Sequence, residues 1–97
     1  MIRHICMFKL KEENKAANLK ELLEKVQVLR TIEQVKHFEV QCNGEDLPQD
    51  NYEVTLIFDF TDKESLETYR VHPLHRAFGD FVKKIRESRA CIDYYFD

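Results

Sequence analysis

Between Ile2 and Leu10 apolar residues fall on both sides of a two-residue repeat, and the same happens between Tyr52 and Phe60. Ile2, His4, Cys6, Phe8 and Leu10 share one side, while Ile5 and Met7 lie on the other beside Arg3 and Lys9. In the later segment Tyr52, Val54, Leu56, Phe58 and Phe60 are opposed by Glu53, Thr55, Ile57 and Asp59. A period of two in β-branched and aromatic residues is the signature of a strand. A sheet made of such strands has one face to be covered by helices and still carries apolar side chains on the other.

The remaining segments supply the helices. From about Asn14, read as the N-cap, to Arg30 the residues Ala16, Leu19, Leu22, Leu23, Val26 and Leu29 form an apolar stripe at helical spacing. Val35 to Cys42 alternates again, with Phe38, Val40 and Cys42 opposite His37, Glu39 and Gln41, and Asn43 and Gly44 open a polar loop. Thr61 with Glu64 reads as a capping box for a short helix reaching about Val71. Pro73 stops that helix and suits the first turn of another, with His72 as the capping corner and Leu74, His75, Phe78, Phe81, Val82 and Ile85 inside. Ala90 to Phe96 is the last strand. The order β-α-β-β-α-α-β in 97 residues predicts one α+β domain spanning residues 1–97, a ferredoxin-like four-stranded antiparallel sheet with its helices on one face. Ile5, Met7 and Ile57 on the bare face predict a homodimer paired sheet to sheet.

Composition narrows the function by exclusion. Fifteen basic against eighteen acidic side chains leave a net charge of −3, so a surface for nucleic acid is not expected. Two glycines are too few for a phosphate-binding loop. No apolar run approaches the length of a membrane span, and Arg3, His4 and Lys9 break up the start, which lacks the pattern of a secretory signal. Cys6, Cys42 and Cys91 are odd in number and have no close spacing. They are therefore expected to be reduced thiols in a cytoplasmic protein without a bound metal.

The opening run from Met1 to Ile5 with Phe8 and Lys9, the sequence from Tyr69 through His72, Pro73 and His75 to Phe78, and Asp93 with Tyr94 resemble the stress-responsive dimeric α/β-barrel family. The resemblance covers nearly the whole chain and implies ferredoxin-like protomers whose sheets close into one barrel across a two-fold axis. Within that family a plant polyketide cyclase closes a linear thioester by aldol condensation without any cofactor, using a Tyr and a His in the bent helical region. Tyr69 and His75 match that pair, and His4 matches a first-strand His in the same cavity. The likeness further implies that Cys6, Phe8, Leu22, Leu23, Val26, Leu56, Phe78 and Gly79 line a substrate pocket. Leu22, Leu23 and Val26 stand where the cyclase has aromatic residues, and Val54 where it has a further His.

The residue types agree with such chemistry. His75 at the start of a helix should have a lowered pKa and so be a neutral proton acceptor, while the Tyr69 hydroxyl donates to a developing enolate. The alternative is that Tyr69 and His75 only fasten the bend, and that His4 is a hydrogen-bonded core histidine. Lys83, Lys84, Arg86 and Arg89 read as a solvated helix face. The expected function is binding of a small hydrophobic or carbonyl ligand between sheet and helices, with no metal or organic cofactor. A polyketide-cyclase-like lyase and a non-catalytic stress-response interaction module are the alternatives.

Overall fold

A computed structural model describes all residues from Met1 to Asp97. Strand β1 (Ile2–Leu10) is followed by helix α1 (Lys15–Lys25), which runs into a 3-10 segment at Val26–Thr31. Strands β2 (His37–Cys42) and β3 (Val54–Phe60) come next, then helices α2 (Lys63–Arg70) and α3 (Pro73–Ile85) and strand β4 (Arg86–Tyr95). The sheet order is β2-β3-β1-β4 with every pair antiparallel. This is the expected ferredoxin-like arrangement: β1 and β2 flank β3, so α1 crosses over one face of the sheet.

Burial follows the sequence repeat. Ile2, His4, Cys6, Phe8 and Leu10 are buried under the helices, whereas Met7 is exposed on the far face. Across the sheet Leu22, Val26, Leu29 and Phe60 have no solvent exposure. They join Phe58, Leu66, Tyr69, Phe78, Val82 and Ile85 in one core. In α3 the buried Phe78, Val82 and Ile85 are four and three residues apart, the spacing of one helical face.

Several boundaries differ from the sequence reading, each for a local reason. The first helix tightens after Lys25 because Val26, Leu29 and Ile32, all buried, are spaced by three, and a 3-10 turn of three residues keeps them on one side. Asn14 precedes α1 in the left-handed region at φ 55° and makes no side-chain cap, so its contribution is backbone conformation. The cap of α2 is Asp62 rather than Thr61, since the Asp62 carboxylate accepts from the Ser65 N–H at 2.8 Å. His72 caps α3 as expected, its Nδ1 accepting from the Leu74 N–H at 3.1 Å with Pro73 in the first turn. The corner between α2 and α3 is thereby held by side chain as well as by proline.

On the open face the register lines up Ile57, Ile5 and Ile92 across β3, β1 and β4. Met7 lies one step away between Thr55 and Ala90. At the other end Arg3 forms a bidentate ion pair with Asp59, at 2.8 and 2.9 Å, and packs over the Phe96 ring. Ile92 is 58% exposed, so the apolar row is wet in the isolated chain. No helix is long and apolar enough to cross a membrane.

Candidate functional site

Because β1 runs between β3 and β4, each of its inward residues has one direct neighbour on either side. His4 is flanked by Phe58 and Asp93, and Cys6 by Leu56 and Cys91. Between this part of the sheet and the α2–α3 corner lies a cavity of about 710 Å³. Its apolar wall is Phe8, Leu56, Phe58, Phe78 and Val82, and its polar wall is His4, Tyr69, His75 and Asp93. Arg70, Arg76, Lys83, Arg86 and Arg89 also line it, against the carboxylates of Asp80 and Asp93. The surplus of basic groups suits a ligand with an anionic part.

Tyr69 comes from the last turn of α2 and His75 from the first turn of α3. Their rings are 4.4 Å apart, and Tyr69 also packs on Phe58 and Phe60. Burial pushes the Tyr69 hydroxyl well above the usual phenol range, so it stays protonated. Carbonyl oxygen can only accept, so His75 Nδ1–H donates to the Arg70 carbonyl at 3.0 Å, and Nε2 is left as an acceptor. The His75 pKa lies below the ordinary 6.5, as expected, but the leading cause is burial and not the helix dipole. The bond to Arg70 opposes that shift, while the charges of His4, Arg70 and Arg89 reinforce it. The His75 bond to the Arg70 carbonyl braces the bend between α2 and α3, and both side chains line one cavity.

A pH dependence follows. A histidine with a lowered folded pKa binds fewer protons folded than unfolded, so stability falls as pH drops from 6.5 through the folded value. Thermal melts across that window should show a rise of Tm with pH in the wild type. The rise should be shallower in His75→Gln, and equal slopes in the two proteins would refute the assignment.

His4 is buried, its Nδ1 hydrogen-bonded to the Asp93 carboxylate and its Nε2 3.6 Å from Cys6 Sγ. It is thus a satisfied histidine that also faces the cavity. His4, Cys6, Phe8, Leu56, Tyr69, His75, Phe78 and Gly79 come together around the cavity. Leu22, Leu23 and Val26 do not line it, which corrects the expectation carried over from the family. Leu22 of α1 and Val26 of the 3-10 segment are fully buried in the core and Leu23 packs against it, so these three positions face the core and not the cavity. The basic cluster is not one solvated helix face: Lys83 and Lys84 lie at the end of α3 while Arg86 and Arg89 belong to β4, and Lys83, Arg86 and Arg89 line the cavity.

The cysteines need a larger correction. Cys6 and Cys91 form a disulfide, and only Cys42 is a free thiol. The two lie 85 residues apart in sequence but directly opposite in β1 and β4, with Cα atoms 4.3 Å apart. Sequence spacing does not reveal cross-strand register. Ligand atoms of His4, Cys6 and Cys91 lie within 4.8 Å of one another, yet sulfurs joined to each other offer no thiolates for a metal. Asp93, Cys91 and Arg89 also escaped the sequence reading as cavity residues, because only pairing with β1 brings them there.

The profile of the Stress responsive A/B Barrel Domain family (Dabb) matches residues 2–96. A dimeric ferredoxin-like protein of unknown function from Bacteroides fragilis is 30% identical, with a TM-score of 0.85 over 98% of this chain and 95% of its own. A Dabb family protein from Mesorhizobium loti is likewise 30% identical, with a TM-score of 0.82 over 98% of this chain and 95% of its own. An antibiotic biosynthesis monooxygenase at 12% identity has a TM-score of 0.78 over 100% of this chain and 99% of its own, a likeness of fold alone. No curated protein matches the chain.

Proposed function

We propose that this chain, which belongs to the Stress responsive A/B Barrel Domain family, is a homodimeric protein that binds a small carbonyl or hydrophobic ligand in the cavity between sheet and helices. The observation that carries the reading is the placement of Tyr69 and His75, rings 4.4 Å apart, on the wall of one cavity. A protonated phenol and a neutral imidazole beside an apolar wall are suited to orient a carbonyl group. The basic side chains of Arg70, Arg76, Lys83, Arg86 and Arg89 favour a carbonyl compound that also bears an acidic group. The dimeric state of the Bacteroides fragilis relative and the row Ile57, Ile5, Ile92 support association through the open face. A cytoplasmic location is part of the same proposal and places the Cys6–Cys91 disulfide in a reducing thiol pool.

Turnover is the second reading, favoured by the free Nε2 acceptor of His75 beside a donor hydroxyl. His75 would take a proton from a carbon acid while Tyr69 stabilises the oxyanion, as in a cyclase-like lyase. Equilibrating the protein with a mixture of small keto acids, aromatic acids and uncharged carbonyl compounds, followed by native mass spectrometry, tests the proposal. One retained compound per protomer, acidic and carbonyl-bearing, is the expected result. A folded dimer that retains none of them overturns the pocket function and leaves the interaction module.

A further inference from the structure

The cavity contains a second reactive group that the proposed ligand site does not use. Cys6 and Cys91 close their disulfide on the helix-covered side of the sheet, where both line the cavity. The two sulfurs differ in surroundings. Cys6 is 5% exposed, whereas Cys91, on the edge strand, is open to solvent. Arg89 Nη2 is 3.7 Å and His4 Nε2 3.6 Å from Cys6 Sγ, and the Asp93 carboxylate holds the other nitrogen of His4. The Arg89 guanidinium beside this sulfur stabilises a thiolate there, and His4, its Nδ1–H held by Asp93, adds to that when its Nε2 takes up the proton of the incoming thiol.

We propose that Cys6 and Cys91 form a thiol–disulfide exchange centre whose co-substrate is a low-molecular-weight thiol bearing carboxylates. The incoming thiolate attacks the exposed Cys91 Sγ, forming a mixed disulfide. The bond between the two protein sulfurs breaks, and its electron pair remains on Cys6 Sγ, which Arg89 and His4 stabilise as leaving group. A second thiolate attacks the small-molecule sulfur of the mixed disulfide and releases Cys91 as a thiolate. The net change is two thiols oxidised to one small disulfide and the protein disulfide reduced by two electrons, with the two protons of the thiols available to the protein sulfurs. In reverse, Cys91 captures the small disulfide and Cys6 resolves it. The basic groups Arg86 and Arg89 attract the carboxylates of the co-substrate. Because Ala90 and Ile92 lie on the opposite face from Cys91, pairing of two chains through the open face leaves the centre accessible.

Reduced and oxidised glutathione are the probes, applied to the full chain in a Cys42→Ser background so that no other thiol reacts. Acid quenching, alkylation and mass spectrometry should show both cysteines converting together as the ratio of thiol to disulfide is varied. With oxidised glutathione, Cys6→Ser should accumulate the adduct on Cys91, while Cys91→Ser should leave Cys6 largely unmodified. Arg89→Gln should slow reduction about three- to tenfold, through a poorer leaving group, without changing the fold. A native disulfide that excess glutathione leaves intact would overturn the proposal, as would equal adducts on the two single-cysteine variants. Should the serine variants fail to fold, the wild-type titration and the Arg89→Gln rate decide the question, and an unchanged rate counts against it.

Discussion

Replacing Ile57 by lysine is expected to split the proposed dimer into folded monomers. Ile57 is the β3 member of the row completed by Ile5 and Ile92, with Glu39 of β2 beside it at the edge. Two sheets packed face to face bring this row and its symmetry copy into a dry layer, and each protomer would then bury an ammonium group. Glu39 opposite it can pair with that ammonium only by being desolvated as well, so the charge still costs about 3 kcal/mol or more, and two-fold symmetry doubles the number of charges. The dissociation constant should therefore rise by more than about a hundredfold. The side chain is only partly buried in the single chain and makes no part of the helix-side core, so the monomer should keep its circular dichroism spectrum. Light scattering across a concentration series reads the result. A variant as dimeric as the wild type would mean that the copies meet elsewhere, and a wild type that is monomeric throughout would remove the dimer altogether.

What was legible in the sequence is what depends on neighbours along the chain. The strict alternation from Ile2 to Leu10 defines β1 and both of its faces because each residue's side is set by the pleat alone. His72 and Pro73 mark the break between α2 and α3 because capping and the missing proline N–H are local effects. The start of β4 was missed by four residues, since Arg86, Glu87, Ser88 and Arg89 show no apolar alternation. They form an edge strand whose sides meet a charged cavity mouth and solvent, so polarity is no argument against pairing there.

The candidate site divides along the same line. Tyr69 and His75 are six residues apart around a bend that the sequence announces, and their approach at one cavity is legible from it. The contacts of His4 with Asp93 and of Cys6 with Cys91 join residues 89 and 85 positions apart. They depend on the register of β1 with β4, which no local pattern specifies. Leu22, Leu23 and Val26 failed for a different reason. A resemblance assigns positions, but which helical residues reach a cavity depends on side-chain size, and aliphatic residues there pack into the core instead.

Tyr69→Phe should separate a ligand site from a brace more cleanly than any other change. The Tyr69 ring contacts Phe58, Phe60 and His75, and phenylalanine keeps these contacts, so the core should be preserved with little change in Tm. What is lost is one donor that burial keeps protonated. If that hydroxyl orients a carbonyl, its removal costs about 1–2 kcal/mol, a loss of affinity of about tenfold, and a larger loss of rate if it stabilises an oxyanion. His75→Ala removes more, because the Nδ1 bond to the Arg70 carbonyl disappears together with the ring contact, and Tm should fall whichever role is right. His75→Gln supplies a side chain whose amide can still donate to that carbonyl but cannot serve as a base. Ligand retention measured by mass spectrometry, set beside melting curves, therefore distinguishes three cases. Loss of retention in Tyr69→Phe at unchanged Tm supports the site. Retention that survives in His75→Gln while turnover stops assigns proton transfer to the imidazole. Unchanged retention in both, with Tm lowered in His75→Ala alone, reduces the pair to a fastening of the α2–α3 corner and removes the proposed chemistry with it.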